Sequence, residues 1–367
     1  MSINNCKSIL FMAGLIFLSS VNDLISDTNE EQKSTENQSV NVGGQWFFAY
    51  LKDKKDNLFK VTRGYINVNV KLNETFSGRI TPDMSVDQEG DGIGSLELRL
   101  KYVYLKWNMP DILFLSKPYF EIGLAHRPWL DFEENINNYR VQGTMFIERN
   151  NIEDSADFGI TFISLFGGDM NKDFQKKVNK TYPGKYGSIA IGIYNGGGYH
   201  ALEENKNKSI EVRISIRPLP QILPGVQLSY HGAYGKGNRK NSPDWTLNMG
   251  FFSWDHENFV ITGTYYKGVG NFNGSAIDTL GNSYDQDGYS VFGEYTIQQL
   301  NIGLTGRYDF FRQKRYRVIG KSKRYICGIA YYFYEQCKFL LDYDIYKEDT
   351  FIENQISQFQ ASIEVRF

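Results

Sequence analysis

The side chains with chemistry to offer are a set of cations in the first half of the chain. Arg63, Arg79, Arg99 and Lys101, with Arg127 just beyond, lie among Glu97, Glu121, Glu148 and Arg149. Guanidinium groups hold phosphate and carboxylate oxygens through paired hydrogen bonds, so a wall of them would favour anions. The bland reading stands beside this one: each cation pairs with a neighbouring carboxylate and only keeps a polar surface wet. Asp131, Glu133 and Glu134 are placed to face the cations and oppose strong anion preference. Other constellations carry less. Ser229 and His231 share a strand face with Gln227, but they have no third group and no oxyanion donors, so they make a poor esterase. Gly196-Gly197-Gly198 has neither the strand-to-helix setting nor the following lysine of a phosphate cradle. Four scattered histidines and no CxxC give no metal pattern, and no cofactor is expected.

The elements that must position these charges are strands. In Ser357–Phe367, Phe359, Ala361, Ile363, Val365 and Phe367 alternate with Gln358, Gln360, Ser362, Glu364 and Arg366. This period of two gives one apolar and one polar face. The same pattern recurs in Ser209–Arg217, where Ile210, Val212, Ile214 and Ile216 oppose Glu211, Arg213, Ser215 and Arg217. In Ser95–Trp107, Leu96, Leu98, Leu100 and Tyr102 oppose Glu97, Arg99 and Lys101. About sixteen such strands fit between Gln45 and the end of the chain. Taking the N-terminus as periplasmic, connections on that side are short at 73–75, 255–257, 298–299 and 334–336. Those on the other side are mostly long and polar, at 85–94, 195–208, 268–288 and 312–323. That asymmetry belongs to a closed transmembrane barrel, whose strands leave no edge. The fold expected is therefore all-β: a transmembrane antiparallel β-barrel of about sixteen strands, with a long inward-folding loop, His126–Ser155, after strand 5. The periplasmic connections 108–117 and 166–185 are longer than this scheme wants. A secreted β-sandwich or propeller shares the alternation but not the asymmetry.

Composition agrees. Aromatics reach 15% and Pro is held to 9 residues, which suits strands and membrane interfaces. Trp107, Tyr119, Trp245 and Trp254 are expected in interface girdles. A net charge of −2 excludes nothing except a nucleic-acid partner. Residues 1–26 read as a signal peptide, with Lys7 before the apolar run Ile9–Val21, which is too short to span a bilayer. A short N-terminal anchor is the alternative. Residues 27–43 read as a disordered polar linker and 44–367 as the barrel. Cys327 and Cys337 fall on neighbouring strands without standing opposite each other, so a disulfide is not favoured.

Around the long loop the chain resembles the phosphate-selective porin O and P family. The carriers are Pro128-Trp129 after the glycine-led run from Gly123, and Glu148-Arg149 after Met145. His126-Arg127 departs from the family's usual lysine and acid, and Phe146-Ile147 separates Met145 from Glu148. The resemblance implies a bacterial outer-membrane porin, a homotrimer whose third loop narrows the lumen. The expected function is passive diffusion of small hydrophilic solutes, anions in particular, with phosphate one candidate. Outer-membrane lipids and the solutes are then the partners, and no chemical step is needed. The alternative is a non-conducting surface barrel whose outer loops bind a ligand or partner. On the porin reading, replacing Arg99 and Lys101 with Glu moves ion preference toward cations, measured as the reversal potential in a salt gradient.

Overall fold

The computed structural model describes residues 38–55, 57–87, 93–315, 318–349 and 354–367. The expected leader, and the linker up to residue 37, lie outside the described residues. Sixteen strands close into one antiparallel barrel, each paired with its sequence neighbours and the last with the first. Leaving the end where β1 begins and β16 finishes, taken as periplasmic and called the lower end, are β1 Ser39–Lys52, β3 Phe76–Val86, β5 Leu115–His126 and β7 Gly187–Tyr194. So do β9 Val226–Lys236, β11 Phe259–Val269, β13 Ile302–Arg315 and β15 Cys337–Asp349. Returning to it are β2 Asn57–Lys71, β4 Leu96–Asn108, β6 Ala156–Phe166 and β8 Ser209–Ile216. The others are β10 Asp244–His256, β12 Asp285–Ile297, β14 Val318–Tyr334 and β16 Asn354–Arg366. β1 begins ahead of the expected Gln45, so Ser39–Gly43 are strand rather than linker. The seam runs from Gln45 opposite Arg366 to Lys52 opposite Phe359, and Gly44 and Phe367 exchange backbone hydrogen bonds of 2.9 and 3.1 Å.

Alternation is resolved as a barrel requires. On β8, Ser209, Glu211, Arg213 and Ser215 are buried inside, while Ile210, Ile214 and Ile216 are exposed outside. β10 inverts the rule. Its Trp245, Leu247, Met249 and Phe251 point inward and are buried. They meet Trp129, Leu130, Phe132, Met145, Phe146 and Ile147 of the loop 127–155, which folds into the lumen. Each such buried side chain contributes roughly 1.5–3 kcal/mol, so this apolar contact drives the loop inward. Trp245 is therefore a floor for the loop, not a girdle residue. Tyr119 also faces the lumen, beneath Lys106 Nζ at 3.7 Å from its ring centre, whereas Trp107 is 41% exposed on the outer face.

Polar anchors fix the loop, which carries α1 Leu130–Glu134, a tight turn at Arg140–Gln142 and α2 Phe146–Arg149. At its two ends, Arg127 donates to Glu211 at 2.5–3.0 Å and Glu153 pairs with His231 at 2.6 Å; Arg127 lies 3.5 Å from Glu153. The side chains of all four are fully buried. At midspan, Lys338 donates to the Asn138 carbonyl at 2.8 Å, Gln360 to the Val141 carbonyl at 2.8 Å, and the Tyr139 hydroxyl to Glu294 at 2.6 Å. The loop thus crosses the whole lumen and leaves its open part against β2–β5.

Three further departures have physical causes. On β4 a bulge opposite Thr81/Pro82 puts Lys101 and Tyr102 both inside, so Tyr102 does not join the outer leucines. The expected loop 312–323 is largely hairpin, because β13 and β14 continue pairing from Lys314 opposite Ile319 down to Phe311 opposite Ser322. Hydropathy alternation fades there because polar residues occupy both faces, while the ladder continues. The lower connection 167–186 carries α3 Lys172–Lys177 and turns back into the lumen: Asn179 donates to the Asn135 carbonyl and to Asp255, each at 2.8 Å. Cys327 is exposed and Cys337 buried, opposite Tyr343 and Tyr334 respectively, and both are free thiols. Removing one member of the buried tether should be costly. We expect Arg127→Met to destabilise the folded barrel by about 3–5 kcal/mol, since it strands buried carboxylates, with Glu211→Gln in the same chain recovering part of the loss. Urea unfolding in vesicles followed by tryptophan emission measures both.

Candidate functional site

Three cavities lie along β2–β5. The upper one, a cavity of about 810 Å³, is lined in part by Lys60, Arg63 and Arg99. Arg63 is paired with Asp83 at 2.6 Å and donates to the Tyr199 hydroxyl at 2.8 Å. Arg99 is paired with Glu97 at 2.6 Å and lies 3.3 Å from His200. Burial first, then Arg63 and Arg99, push the His200 imidazole down to about 4, so it is neutral at pH 7. The mouth is therefore polar but charge-balanced.

The narrow middle is a cavity of about 130 Å³. Arg79 on β3 and Lys101 on β4 form one side; Asp131 and Glu134 of α1, with Arg140, form the other. The bulge on β4 lodges Lys101 between the rings of Tyr65 and Tyr102, at 4.7 and 5.4 Å from their centres. Arg79 sits 4.9 Å from the Tyr102 ring centre and donates to Asn67 at 2.8 Å and Thr81 at 2.9 Å. Among the described residues, neither Arg79 nor Lys101 has a carboxylate within 4.0 Å. Arg140 differs: it pairs with Glu134 at 3.0 Å and with Glu148 at 2.9 Å. Arg366 also lines this space, held by Glu364, so among the described residues the charges left facing the gap are Arg79, Lys101 and, opposite them, Asp131.

Asp131 also lines the lower space, about 440 Å³, together with Lys106, Lys117, Thr181 and Tyr182, and so stands where the two meet. Lys117 pairs with Asp169 at the lower rim. The Tyr182 hydroxyl, from the returning lower connection, donates to Asp131 at 2.8 Å. Burial alone would raise the Asp131 carboxyl. His126, the Tyr182 hydroxyl, Arg79 and Lys101 outweigh it and hold the group below the ordinary carboxylate range. Glu133, one residue from Glu134, turns away to accept from the Trp129 indole at 2.7 Å, and burial pushes it up to about 7.

The expected site residues thus separate. Arg79 and Lys101 lie at the constriction; Arg63, Glu97 and Arg99 lie at the mouth. Glu121 is only 4% exposed and accepts from His126 at 2.8 Å, which fixes that ring rather than lining the gap. Arg127 corrects the expectation outright, being sealed in the tether. Glu148 acts through Arg140. Arg149 lies on the far side of the loop, bound to Asp309 at 2.9 Å and facing a separate cavity of about 240 Å³ with Arg324. Ser229 donates to Ser215 at 2.8 Å and His231 is held by Glu153, so the two make no nucleophile–base pair. Arg140 and Tyr182 were missed. For Tyr182 the available signal was the excess length of its connection; for Arg140 it was only its place within the loop.

No family model matches the sequence, and no curated protein matches it. Solved structures do match in fold. The outer-membrane expressed OmpT of Vibrio cholerae is similar at TM-score 0.59 and 11% identity, over 92% of this chain and 100% of that one. An anion-selective porin from Comamonas acidovorans gives 0.59 and 11%, over 90% and 100%. The outer membrane channel DcaP of Acinetobacter baumannii gives 0.54 and 13%, over 92% and 99%. The likeness is one of fold, a closed antiparallel barrel shared with these outer-membrane proteins. At the constriction, Tyr182→Phe removes a donor to Asp131, so that carboxyl loses its charge at a higher pH than in the parent as acid is added. Reversal potentials recorded from pH 7 down to pH 3 should show the anion-favouring inflection shifted upward, and absent in Asp131→Asn.

Proposed function

We propose that the barrel is a passive diffusion channel of the bacterial outer membrane for small hydrophilic solutes, with a preference for anions. The observation that carries this is the constriction itself, where Arg79 and Lys101 face the gap without carboxylate partners while Arg140 is neutralised by Glu134 and Glu148. In a space largely shielded from bulk water, two such cations lower the barrier for an anion and raise it for a cation. Asp131 tempers this preference and gives the gap a transverse field, which suits solutes carrying both signs or strong dipoles. Passage needs no bond making, so no catalytic role is assigned.

Phosphate is one candidate solute, on the strength of the resemblance around the loop. The motif residues that carry it act as framework: Trp129 is buried and the Pro128 carbonyl accepts from Arg213 at 2.9 Å. An export leader in residues 1–26 fits the destination. A homotrimer is the assembly we favour, and the OmpT of Vibrio cholerae has been described in a trimer form. One observation favours a second reading, a plugged surface barrel: the loop leaves only about 130 Å³ in the cavity beside Arg79 and Lys101. Planar-bilayer recording separates the two. Stable steps with an anion-favouring reversal potential are expected, and silence from folded protein supports the plug. In Arg79→Gln/Lys101→Gln the anion-to-cation permeability ratio should fall about tenfold or more, since one unit charge at ~6 Å and an effective dielectric near 20 is worth about 3 kcal/mol.

A further inference from the structure

The outer surface of the barrel is not uniform. Read across β11–β15, the register places Lys267, Asp287, Arg312, Lys321 and Asp349 in one row on the outer face near the upper end. One row below come Tyr265, Tyr289, Phe310, Lys323 and Lys347. Below that lie Val291, Tyr308, Tyr325 and Ile345. Above the first row, Lys314 stands opposite Asp285. Successive rows are about 7 Å apart, two residues of strand. An aromatic band is thus capped within one or two rows by six cations against three carboxylates. Arg312 is tied to Asp287 at 2.8 Å, but no side-chain hydrogen bond or ion pair joins Lys314, Lys321, Lys323 or Lys347 to another described residue. The opposite sector differs: at the same end of β4, β6, β7 and β8 the outer residues are Leu96, Phe158, Ile193 and Ile210, all more than half exposed.

We propose that this face of β11–β15 is a binding surface for an outer-leaflet lipid bearing anionic phosphate groups. The inference rests on the outer-membrane setting, not on ion passage. Aromatic rings mark the level where acyl chains give way to headgroups. Lysines just above that level, with no side-chain partner among the described residues, sit where headgroup phosphates lie and contribute roughly fivefold each to binding an anionic surface. The tyrosine rings below would carry the first acyl carbons. The matching outer positions of β4, β6, β7 and β8 are apolar and offer a phosphate no cation at that level.

The test uses the full-length folded protein in neutral detergent, titrated with bis-phosphorylated lipid A or with its dephosphorylated form, and bound lipid counted by native mass spectrometry. The parent protein should prefer the phosphorylated lipid. Lys321→Gln/Lys323→Gln/Lys347→Gln should weaken that binding on the order of 100-fold, from the per-lysine contribution. Lys52→Gln/Lys54→Gln/Lys55→Gln, a charge-matched change at the β1–β2 end of the barrel, should leave it unchanged. Equal affinity for the two lipids, unaltered binding by the first variant, or equal loss in both variants would each overturn the proposal, as would a change in oligomeric state in place of lost lipid. Because the patch lies outside the lumen, bilayer conductance of the first variant reports separately on the channel.

Discussion

The arrangement of the lumen depends on one buried electrostatic knot, Arg127 and Glu153 of the loop against Glu211 of β8 and His231 of β9. It closes both ends of a loop of almost thirty residues onto one patch of wall. Four ionisable side chains without solvent are tolerable only when they pair with one another, which is why the knot specifies a position instead of merely adding attraction. From there the loop has a single direction to run. Its aromatic residues cover the inverted face of β10, and its midspan accepts hydrogen bonds from β15 and β16 and donates one to β12. The open passage is what remains against β2–β5. The cations there are defined as much by what the loop fails to cover as by their own strands.

The division of charge follows from this. Within the loop, Arg140 meets Glu134 and Glu148 and is spent locally. Across the gap, Arg79 and Lys101 are held by neutral partners: an amide, a hydroxyl and two tyrosine rings. Neutral holders orient a cation without cancelling it, so the field stays in the passage. Asp131 is held in the same manner by a tyrosine hydroxyl arriving from the opposite end of the barrel. The passage is therefore bounded by segments from both sides of the membrane, and Asp131 answers to the lower of them.

Much of this was legible in the sequence, for reasons that can be named. Period-two alternation fixed strand positions wherever one face meets lipid, as on β8 and β16, and the long segment after β5 announced the inward loop. Arg79 and Lys101 were found because polar-face position is a local property. The misreadings all concern residues whose surroundings come from elsewhere in the chain. Arg127 looked like a lining cation because its partners Glu211 and Glu153 are 84 and 26 positions away. Trp245 looked like a girdle residue because nothing local says that a loop will cover it. The β13–β14 hairpin was taken for a loop because a strand wet on both sides has no hydropathy signature. Arg149 kept its expected polarity but lies behind the loop, where strand-face reasoning does not reach.

The bulge on β4 has a consequence for how such a passage can change over time. A single extra residue works as a phase shift along the strand. Above it Glu97, Arg99 and Lys101 look inward, and below it Tyr102, Tyr104 and Lys106 do. The strand thus offers the lumen two interleaved texts and switches from one to the other at Lys101. Sliding the switch by one pair would exchange a ring for a valine or a charge for a leucine, with no residue altered. Insertions and deletions, more than substitutions, are then the economical route by which this barrel could acquire a different solute.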